Sequence, residues 1–145
     1  MSDSTLNDYL FRRLDGMMAL KKGLNAYSLR HKVLAANIAN SETSGYRAQK
    51  VRFEEQLQKA LDRQSFGLSR SDKHHIPLRA GLRRMESLRA EVVDDDTPDM
   101  YNGLNNVDIE KEMAQMATNQ IHYSATTKIM KIRYQMLQSS IRGRA

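Results

Sequence analysis

Residues 109–141 read IEKEMAQMATNQIHYSATTKIMKIRYQMLQSSI, and the spacing of their apolar side chains decides the fold. Alternating steps of three and four residues keep one stripe of an α-helix facing a partner helix. This stripe, the C-terminal seam, consists of Ile109, Met113, Met116, Gln120, Tyr123, Thr127, Met130, Tyr134, Leu137 and Ile141. The stretch therefore predicts one long helix that packs lengthwise against another.

A matching stripe, the N-terminal seam, lies near the start of the chain. It consists of Met17, Leu20, Leu24, Tyr27, His31, Leu34 and Ile38. The two seams are expected to close a coiled-coil-like hairpin, which makes the fold mainly α with long N- and C-terminal helices. Because His31 lies within the seam, we expect a hydrogen-bonded packing residue there and not a metal ligand.

The C-terminal stretch carries a second apolar line, formed by Ala114, Ala117, Ile121, Ala125, Ile129, Ile132 and Met136. A helix that is apolar on two faces is normally buried on two sides, so this line is expected to meet neighbouring molecules. The predicted subunit-packing residues are Leu24, Tyr27, Leu34, Ile38, Met116, Ile121, Tyr123, Met130 and Leu137. Gln120 and Thr127 either reach water at the edge of the seam or fix its register.

Between the seams the chain is polar. A helix over residues 5–40 is followed by a turn in which Gly45 can take a positive φ, then by extended structure and a short helix from Phe53 to Leu61. The predicted organisation is residues 1–64 for this N-terminal part, 65–105 for an extended or flexible middle segment, and 106–145 for the C-terminal helix. A short helix at Leu82–Val92 is the one element predicted in the middle segment.

The start of the C-terminal helix carries its own signals. Either Asn106 or Asp108 can cap the free backbone N–H groups. Glu110 and Glu112 then lie at the positive end of the helix dipole, and the basic residues of this helix lie mainly in its second half. The sequence thus predicts both the beginning and the direction of the helix.

Composition limits the chemistry that this chain can perform. It has no cysteine, which excludes thiolate catalysis and thiolate metal sites, and no sequence motif typical of an enzyme. His74 and His75 lack the spacing of a metal site, and residues 94–96 read as a solvated acidic turn because the glycine and glutamate of a calcium loop are missing. We expect no cofactor, no metal, no small-molecule substrate and no catalytic residue.

Charge and hydropathy restrict the partners. The net charge is +6, but the basic residues are scattered among acidic ones, which is typical of a solvated or intersubunit face and not of a nucleic-acid-binding stripe. No apolar run approaches the roughly 20 residues of a membrane span, and none resembles the apolar region of a signal peptide. We expect a soluble protein without a cleaved signal peptide.

Two stretches are specific enough to compare with a known family. Residues 33–48, VLAANIANSETSGYRA, resemble the A-N-I-A-N-A-x-T-P-G-Y-K-A signature of the bacterial flagellar rod and hook proteins. Residues 105–114, NNVDIEKEMA, with Asn119, Gln120 and Tyr123, are similar to the corresponding pattern of a proximal rod member. Two departures are Ser44, where the family has proline, and Leu104, which lengthens the approach to the second helix.

The resemblance implies a structural subunit and not an enzyme. Members of this family build the hollow basal-body rod, which transmits torque through the periplasm to the hook and filament and so supports motility. The implied partners are further copies of the chain, the rod proteins FlgC and FlgF, the adaptor FliE and the membrane-ring/export-gate base, reached by flagellar type III export. The matching turn motif consists of Asn37, Asn40, Gly45 and Tyr46.

Two other classes of protein remain open from the residues alone. A basic coiled coil could bind nucleic acid, which a salt-dependent gel shift would reveal. A soluble adaptor or export chaperone would share the helical pattern but would stay in the cytoplasm. Fractionation separates that class from a rod subunit.

Overall fold

The computed structural model of the chain describes residues 3–65, 87–98 and 105–143. Five elements occur in this part of the chain: α1 Asp3–Ala39, β1 Gln49–Arg52, α2 Glu54–Ser65, β2 Glu91–Asp94 and α3 Ile109–Ile141. At about 1.5 Å per residue, α1 and α3 are each roughly 50 Å long. The prediction of a mainly α fold with long terminal helices is confirmed.

The two long helices pack antiparallel. Asn37, near the end of α1, donates a hydrogen bond to Glu112 near the start of α3. Ten residues earlier in α1, the Tyr27 carbonyl accepts a hydrogen bond from Asn119, seven residues later in α3. Because the contacts move in opposite directions along the two helices, the chain forms a helical hairpin.

The side of α3 that meets α1 differs from the C-terminal seam. Glu112 and Asn119 are buried on that side, and Met116, Thr126 and Met130 are half-buried. Ile109, Met113 and Tyr134 of the seam are exposed. The expectation that the apolar seam closes the hairpin is therefore wrong over much of its length, because α1 offers hydrogen-bonding groups that polar side chains of α3 satisfy.

His31 is also exposed, so the prediction that it packs in the interior is wrong. The side of α1 that faces the rest of the molecule carries Ala26, Val33, Leu34 and Asn37. At about 100° per residue, His31 points roughly 120° away from that side. His31 was included in the N-terminal seam only because its position fits a repeat of 3.5 residues.

A turn and a short ribbon follow α1. Gly45 has a φ of 74°, the left-handed conformation that glycine adopts most readily. β1 then pairs antiparallel with β2, from Gln49 opposite Asp94 to Arg52 opposite Glu91.

The ribbon corrects the expected structure of the middle segment. The predicted helix at Leu82–Val92 is wrong from residue 88 onward, because residues 88–90 are not helical and Glu91–Asp94 is a strand; Ser87 is helical, and the part before it lies outside the described residues. Val92 and Val93 are β-branched and favour extended backbone, and β1 supplies their hydrogen-bonding partners. Residues 91–94 are thus paired with β1 within the single chain.

The core is small and lies between α1, the ribbon and α2. Ala26, Val33, Val51 and Phe53 form its buried cluster, and Leu29, Leu57 and Ala90 pack against it. Leu88 is buried as well, and its carbonyl accepts a hydrogen bond of 2.8 Å from Lys22 Nζ. This core fixes the ribbon to one side of the hairpin.

No helix among residues 3–65, 87–98 and 105–143 is long and apolar enough to cross a membrane.

Candidate assembly interface

Asn37 is the hydrogen-bonding centre where α1, β1 and α3 meet. It is 0% exposed, and its Nδ2 donates to the Gln49 carbonyl at 2.8 Å and to Glu112 Oε2 at 2.9 Å. Its Oδ1 accepts from the Gln49 N–H at 3.0 Å and from the Tyr46 hydroxyl at 3.1 Å. An amide side chain offers two donors and two lone pairs, so every hydrogen-bonding position of Asn37 is used.

The Tyr46 hydroxyl is held in its protonated form. Burial raises the pKa of Tyr46, and the negative charges of Glu112 and Asp94 raise it further. Since a protonated phenol can donate, the hydroxyl keeps its hydrogen bond to Asn37 at neutral pH. Tyr46 thereby connects the end of the turn to the last part of α1.

Two adjacent asparagines attach the approach to α3. Asn105 Nδ2 donates to the Ser41 carbonyl, and its Oδ1 accepts from the Val107 N–H at 3.1 Å. Asn106 Oδ1 accepts from the Ala48 N–H at 2.7 Å, and its Nδ2 donates to the Asp95 carbonyl at 2.9 Å. Asn106 thus satisfies the hydrogen-bonding backbone groups of Ala48 and Asp95 beside the ribbon.

The cap of α3 is Asp108 and not Asn106. The Asp108 side chain accepts from the Lys111 N–H at 3.1 Å, and its backbone is extended, as an N-cap requires. Asn106 lies two residues earlier, and its amide is engaged with Ala48, just before β1, and with the segment after β2. Of the two cap residues that the sequence allows, only Asp108 is close enough to the free N–H groups.

The remaining turn residues lie together as well. Asn40 Nδ2 donates to the Ala36 carbonyl at 2.8 Å, and Asn40 Oδ1 accepts from Thr43 Oγ1 at 3.3 Å. Ser44, which stands where the family pattern has proline, is exposed. Leu104 lies outside the described residues. The structure thus brings Asn37, Asn40, Gly45 and Tyr46 into one turn.

Two ion pairs join neighbouring elements around the core. Arg30 of α1 contacts both carboxylate oxygens of Glu54 at 2.6 Å and donates to the Val51 carbonyl at 3.1 Å. The hydrogen bond from Arg30 lowers the pKa of Glu54 despite partial burial. For Asp95, burial raises the pKa, but the hydrogen bond and charge of Lys50, 3.0 Å away, outweigh burial and lower it.

A groove of about 620 Å³ lies between α1, β1 and the first half of α3. Asn119 lines it and is buried; its Nδ2 donates to the Tyr27 carbonyl at 3.0 Å. Its Oδ1 has no hydrogen-bond partner among the described residues. Beside it, the His122 ring stacks on Tyr27 with the ring centroids 5.7 Å apart.

The predicted subunit-packing residues divide into two groups. Leu34 is buried, and Leu24, Tyr27, Ile38, Met116 and Met130 are half-buried. Ile121, Tyr123 and Leu137 are exposed, Ile121 to 68%. The first group therefore belongs to the interior of the hairpin, and the second leaves apolar surface in water.

This exposure continues to the end of α3. All side chains from Lys131 to Gly143 are exposed. The large apolar side chains exposed along α3 are Ile109, Met113, Ile121, Tyr123, Ile129, Ile132, Tyr134, Met136, Leu137 and Ile141. An apolar surface of this extent on a single chain is typical of a protein–protein interface.

The described residues contain no group of three or more His, Cys, Asp or Glu side chains that could hold a metal ion. In the acidic turn, Asp94 accepts from Gln49 Nε2 and Asp95 from Lys50 Nζ. His74 and His75 lie outside the described residues. The arrangement of the described residues suits the attachment of helices to one another.

Sequence reasoning missed the roles of three buried polar residues. Glu112 was predicted to interact with the helix dipole, and Asn105 and Asn119 were seen only as parts of a family pattern, although all three are buried and hydrogen-bonded to another part of the chain. The sequence feature that could have indicated these buried roles is the high density of amide side chains next to apolar seam positions. That signal cannot tell a surface amide from an interior one without the partner element.

Comparison with known proteins agrees with this geometry. The model of the family described as "Flagella basal body rod protein" matches residues 17–47, which form the second half of α1 and the turn with Asn37. Together with the relatives described next, this match defines the class of protein as a flagellar basal body rod protein, a structural subunit and not an enzyme.

Three relatives identify the member of that class. The chain is 34% identical over 126 residues to the flagellar basal body rod protein FlgB of Bacillus subtilis, covering 86% of this chain and 91% of the relative. It is 30% identical over 137 residues to FlgB of Salmonella typhimurium, covering 90% and 96%. It is 32% identical over 117 residues to FlgB of Escherichia coli, covering 77% and 82%. The chain belongs to the FlgB family of flagellar basal body rod proteins.

Family membership confirms the recognition made from the two sequence motifs. It supports a structural rod subunit that assembles with other components of the flagellar basal body and is located there. Neither a nucleic-acid-binding coiled coil nor a cytoplasmic chaperone is supported by these matches.

Proposed function

We propose that the chain is a subunit of the proximal rod and that the exposed half of α3 is its main subunit-packing surface. The observation that supports this is the run of exposed apolar side chains from Ile121 to Ile141. Covering apolar surface contributes about 25 cal/mol per Å² removed from water. A surface that is unfavourable in a single chain is thus stabilised when neighbouring helices cover it.

The other half of the hairpin holds this surface in place. Leu34, Tyr27 and Met116 pack inside the hairpin, and Asn37 ties α1 to both β1 and α3. Because these contacts fix where α3 begins and in which direction it runs, they determine where its exposed half is presented to neighbours. The turn motif therefore acts on assembly by positioning α3.

The proposed neighbours are further copies of the chain, the rod proteins FlgC and FlgF, the adaptor FliE and the membrane-ring/export-gate base. The support is membership in the FlgB family, together with apolar side chains on more than one side of α3. A helix exposed in this way can contact several helices at once. Such contacts suit a tube built from several related proteins.

We place the subunit in the periplasmic part of the rod, delivered by the flagellar type III export apparatus. There it transmits torque between motor and hook. The physical requirement for that task is resistance to twisting, and helices packed lengthwise over several turns resist sliding because their side chains interlock.

Leu137→Asp tests the packing surface. A carboxylate on the exposed apolar side of α3 would have to be buried without a partner, so we expect loss of the protein from purified basal bodies and loss of motility. Immunoblots of basal bodies and swimming assays measure both. Gln135→Asp, a polar and exposed site on the same helix, is the control and should assemble normally.

The soluble Leu137→Asp protein should keep its helical circular dichroism, because Leu137 is exposed in the single chain. Normal motility of Leu137→Asp would contradict the proposed surface. A complete rod in a deletion strain would contradict the proposed function itself.

A further inference from the structure

The sulfur chemistry of this chain belongs to methionine alone, because the sequence has nine methionines and no cysteine. Two of the methionines that the structure describes are exposed, Met113 to 58% and Met136 to 49%. The other described methionines are half-buried, and they are Met17, Met18, Met116 and Met130. Since a dissolved oxidant reaches an exposed thioether more easily than a packed one, Met113 and Met136 are the described methionines that it attacks first.

The two exposed methionines lie on different parts of α3. Met136 follows Ile129 and Ile132 at helical spacing, and all three are exposed apolar side chains of the proposed packing surface. Met113 lies near the start of the helix, 23 residues before Met136. At about 100° per residue, the two methionines are roughly 140° apart around the helix. Of the two, only Met136 belongs to the half of α3 that neighbours are proposed to cover.

Oxidation changes the polarity of a methionine side chain with little change in its length. A hydroperoxide transfers one oxygen atom to the thioether sulfur: the O–O bond breaks, an S–O bond forms, and the sulfur gives up two electrons. The proton of the transferred oxygen passes to the leaving oxygen, which departs as an alcohol, or as water from hydrogen peroxide. The sulfoxide that remains is polar and accepts hydrogen bonds. Apolar side chains that cover it would leave this acceptor without a partner, which is unfavourable.

We propose that Met136 is an oxidation site that controls assembly, because its sulfoxide prevents neighbouring helices from covering the exposed half of α3. The inference rests on the proposed function and adds a chemical modification to its packing surface. Covering also acts in the other direction, since a neighbour packed on Met136 keeps peroxide away from the sulfur. A subunit is thus sensitive to peroxide before it assembles and protected afterwards. Met113 is oxidised in the free chain as well, without this consequence.

Rates of oxidation test where the sites are and whether assembly protects them. The purified full-length chain is treated with hydrogen peroxide, and peptide mass spectrometry follows each methionine. Met113 and Met136 should form sulfoxide at least about threefold faster than Met116 and Met130. In purified basal bodies treated in the same way, Met136 should react at least about tenfold more slowly than in the free chain, because neighbouring helices cover it.

Three substitutions test the effect on assembly. Met136→Gln imitates the polarity of the sulfoxide at a similar length, so its amount in purified basal bodies should fall about tenfold below wild type. Met136→Leu keeps an apolar side chain without sulfur and should assemble like wild type. Met113→Gln is the matched control and should also assemble like wild type. Circular dichroism of the purified chains verifies folding, which both exposed positions should tolerate.

Several results would overturn the inference. In the oxidation experiments, they are equal rates at all four methionines of α3 in the free chain, and a rate at Met136 in basal bodies as high as in the free chain. Among the variants, they are normal incorporation of Met136→Gln, and a loss of Met136→Leu or Met113→Gln as large as that of Met136→Gln. With any of these results, a wild-type chain found in basal bodies leaves the proposed function intact. Absence of the wild-type chain from basal bodies would instead remove that function.

Discussion

At the scale of single residues, Asn37 shows how a short polar side chain can hold three elements together. Its four hydrogen bonds reach the backbone of Gln49, the Tyr46 hydroxyl and the Glu112 carboxylate. Among the twenty side chains, only the amides combine two donors with two acceptor lone pairs at this size. A buried aspartate would lose both donors, and a leucine would lose all four bonds.

Asn37→Ala tests this centre. The substitution leaves buried groups of Gln49, Tyr46 and Glu112 without their partners, so we expect a loss of about 3 kcal/mol in the free energy of unfolding. Urea titrations followed by circular dichroism measure it. Asn25→Ala, at an exposed position of the same helix, should change the free energy by no more than about 0.5 kcal/mol. Equal effects at the two positions would contradict the role of Asn37.

Residue by residue, the sequence reveals much of the turn but little of the buried polar network. Gly45 is predictable because turn-forming neighbours and a missing Cβ both point to a positive φ. Asn119 is not predictable, because its burial depends on the Tyr27 carbonyl 92 residues away in the chain. For the N-cap of α3, the sequence left two candidates, Asn106 and Asp108. Only the path of the chain past Ala48 distinguishes them, because the Asn106 amide is bound there while the Asp108 side chain accepts from the Lys111 N–H.

At the scale of elements, the helices follow from periodicity and the ribbon does not. α1 and α3 each span many turns, so a repeat of 3.5 residues accumulates over the whole element. β2 has four residues, too few for a period, and its pairing with β1 joins residues about 40 positions apart in the sequence. Periodicity also does not predict which face of α3 meets α1, because the polar side chains of Glu112 and Asn119 are buried there in place of apolar ones.

Two glycine substitutions separate the helix from the turn. Gly16 lies in α1, and a Cβ added there meets nothing within 4 Å, so Gly16→Ala should raise the free energy of unfolding by about 0.5–1 kcal/mol through helix propensity. Gly45 also has open space but a φ of 74°, so Gly45→Ala should lower it by about 1 kcal/mol. Thermal unfolding of the two variants should shift in opposite directions, and shifts of the same sign would contradict this explanation.

At the scale of the whole molecule, charge holds the elements around a small core. The pairs Arg30–Glu54 and Lys50–Asp95 connect α1 to α2 and β1 to the segment after β2. Both carboxyl groups have a pKa lowered in the folded state. Their contribution is therefore present above the unfolded pKa of about 4 and is lost as the pH falls through the lower folded value.

We therefore expect the free energy of unfolding to fall in acid. Near neutral pH, the titration of Glu54 and Asp95 should not change it. The variant Glu54→Gln with Asp95→Asn should be less stable than wild type at pH 7, and the difference should shrink below a pH of about 4 as the wild-type carboxylates take up protons. Denaturant titrations across this range measure the difference. Glu55→Gln, next to Glu54 on α2, is the control and should show no such convergence; a gap that stays constant in acid would argue against the ion pairs.

The polar attachment of α3 has one further consequence. Among the described residues, the hydrogen bonds that link α3 side chains to α1 involve Glu112 and Asn119, which both lie near the beginning of α3, so the helix is clamped at its base. Mechanically it is a cantilever. The part of α3 beyond Asn119 is roughly 30 Å long at about 1.5 Å per residue, so a rotation of about 5° about the clamped base would displace its end by roughly 3 Å. In the proposed assembly, such small rotations would let the exposed side of α3 follow neighbours at slightly different distances while the base keeps one geometry.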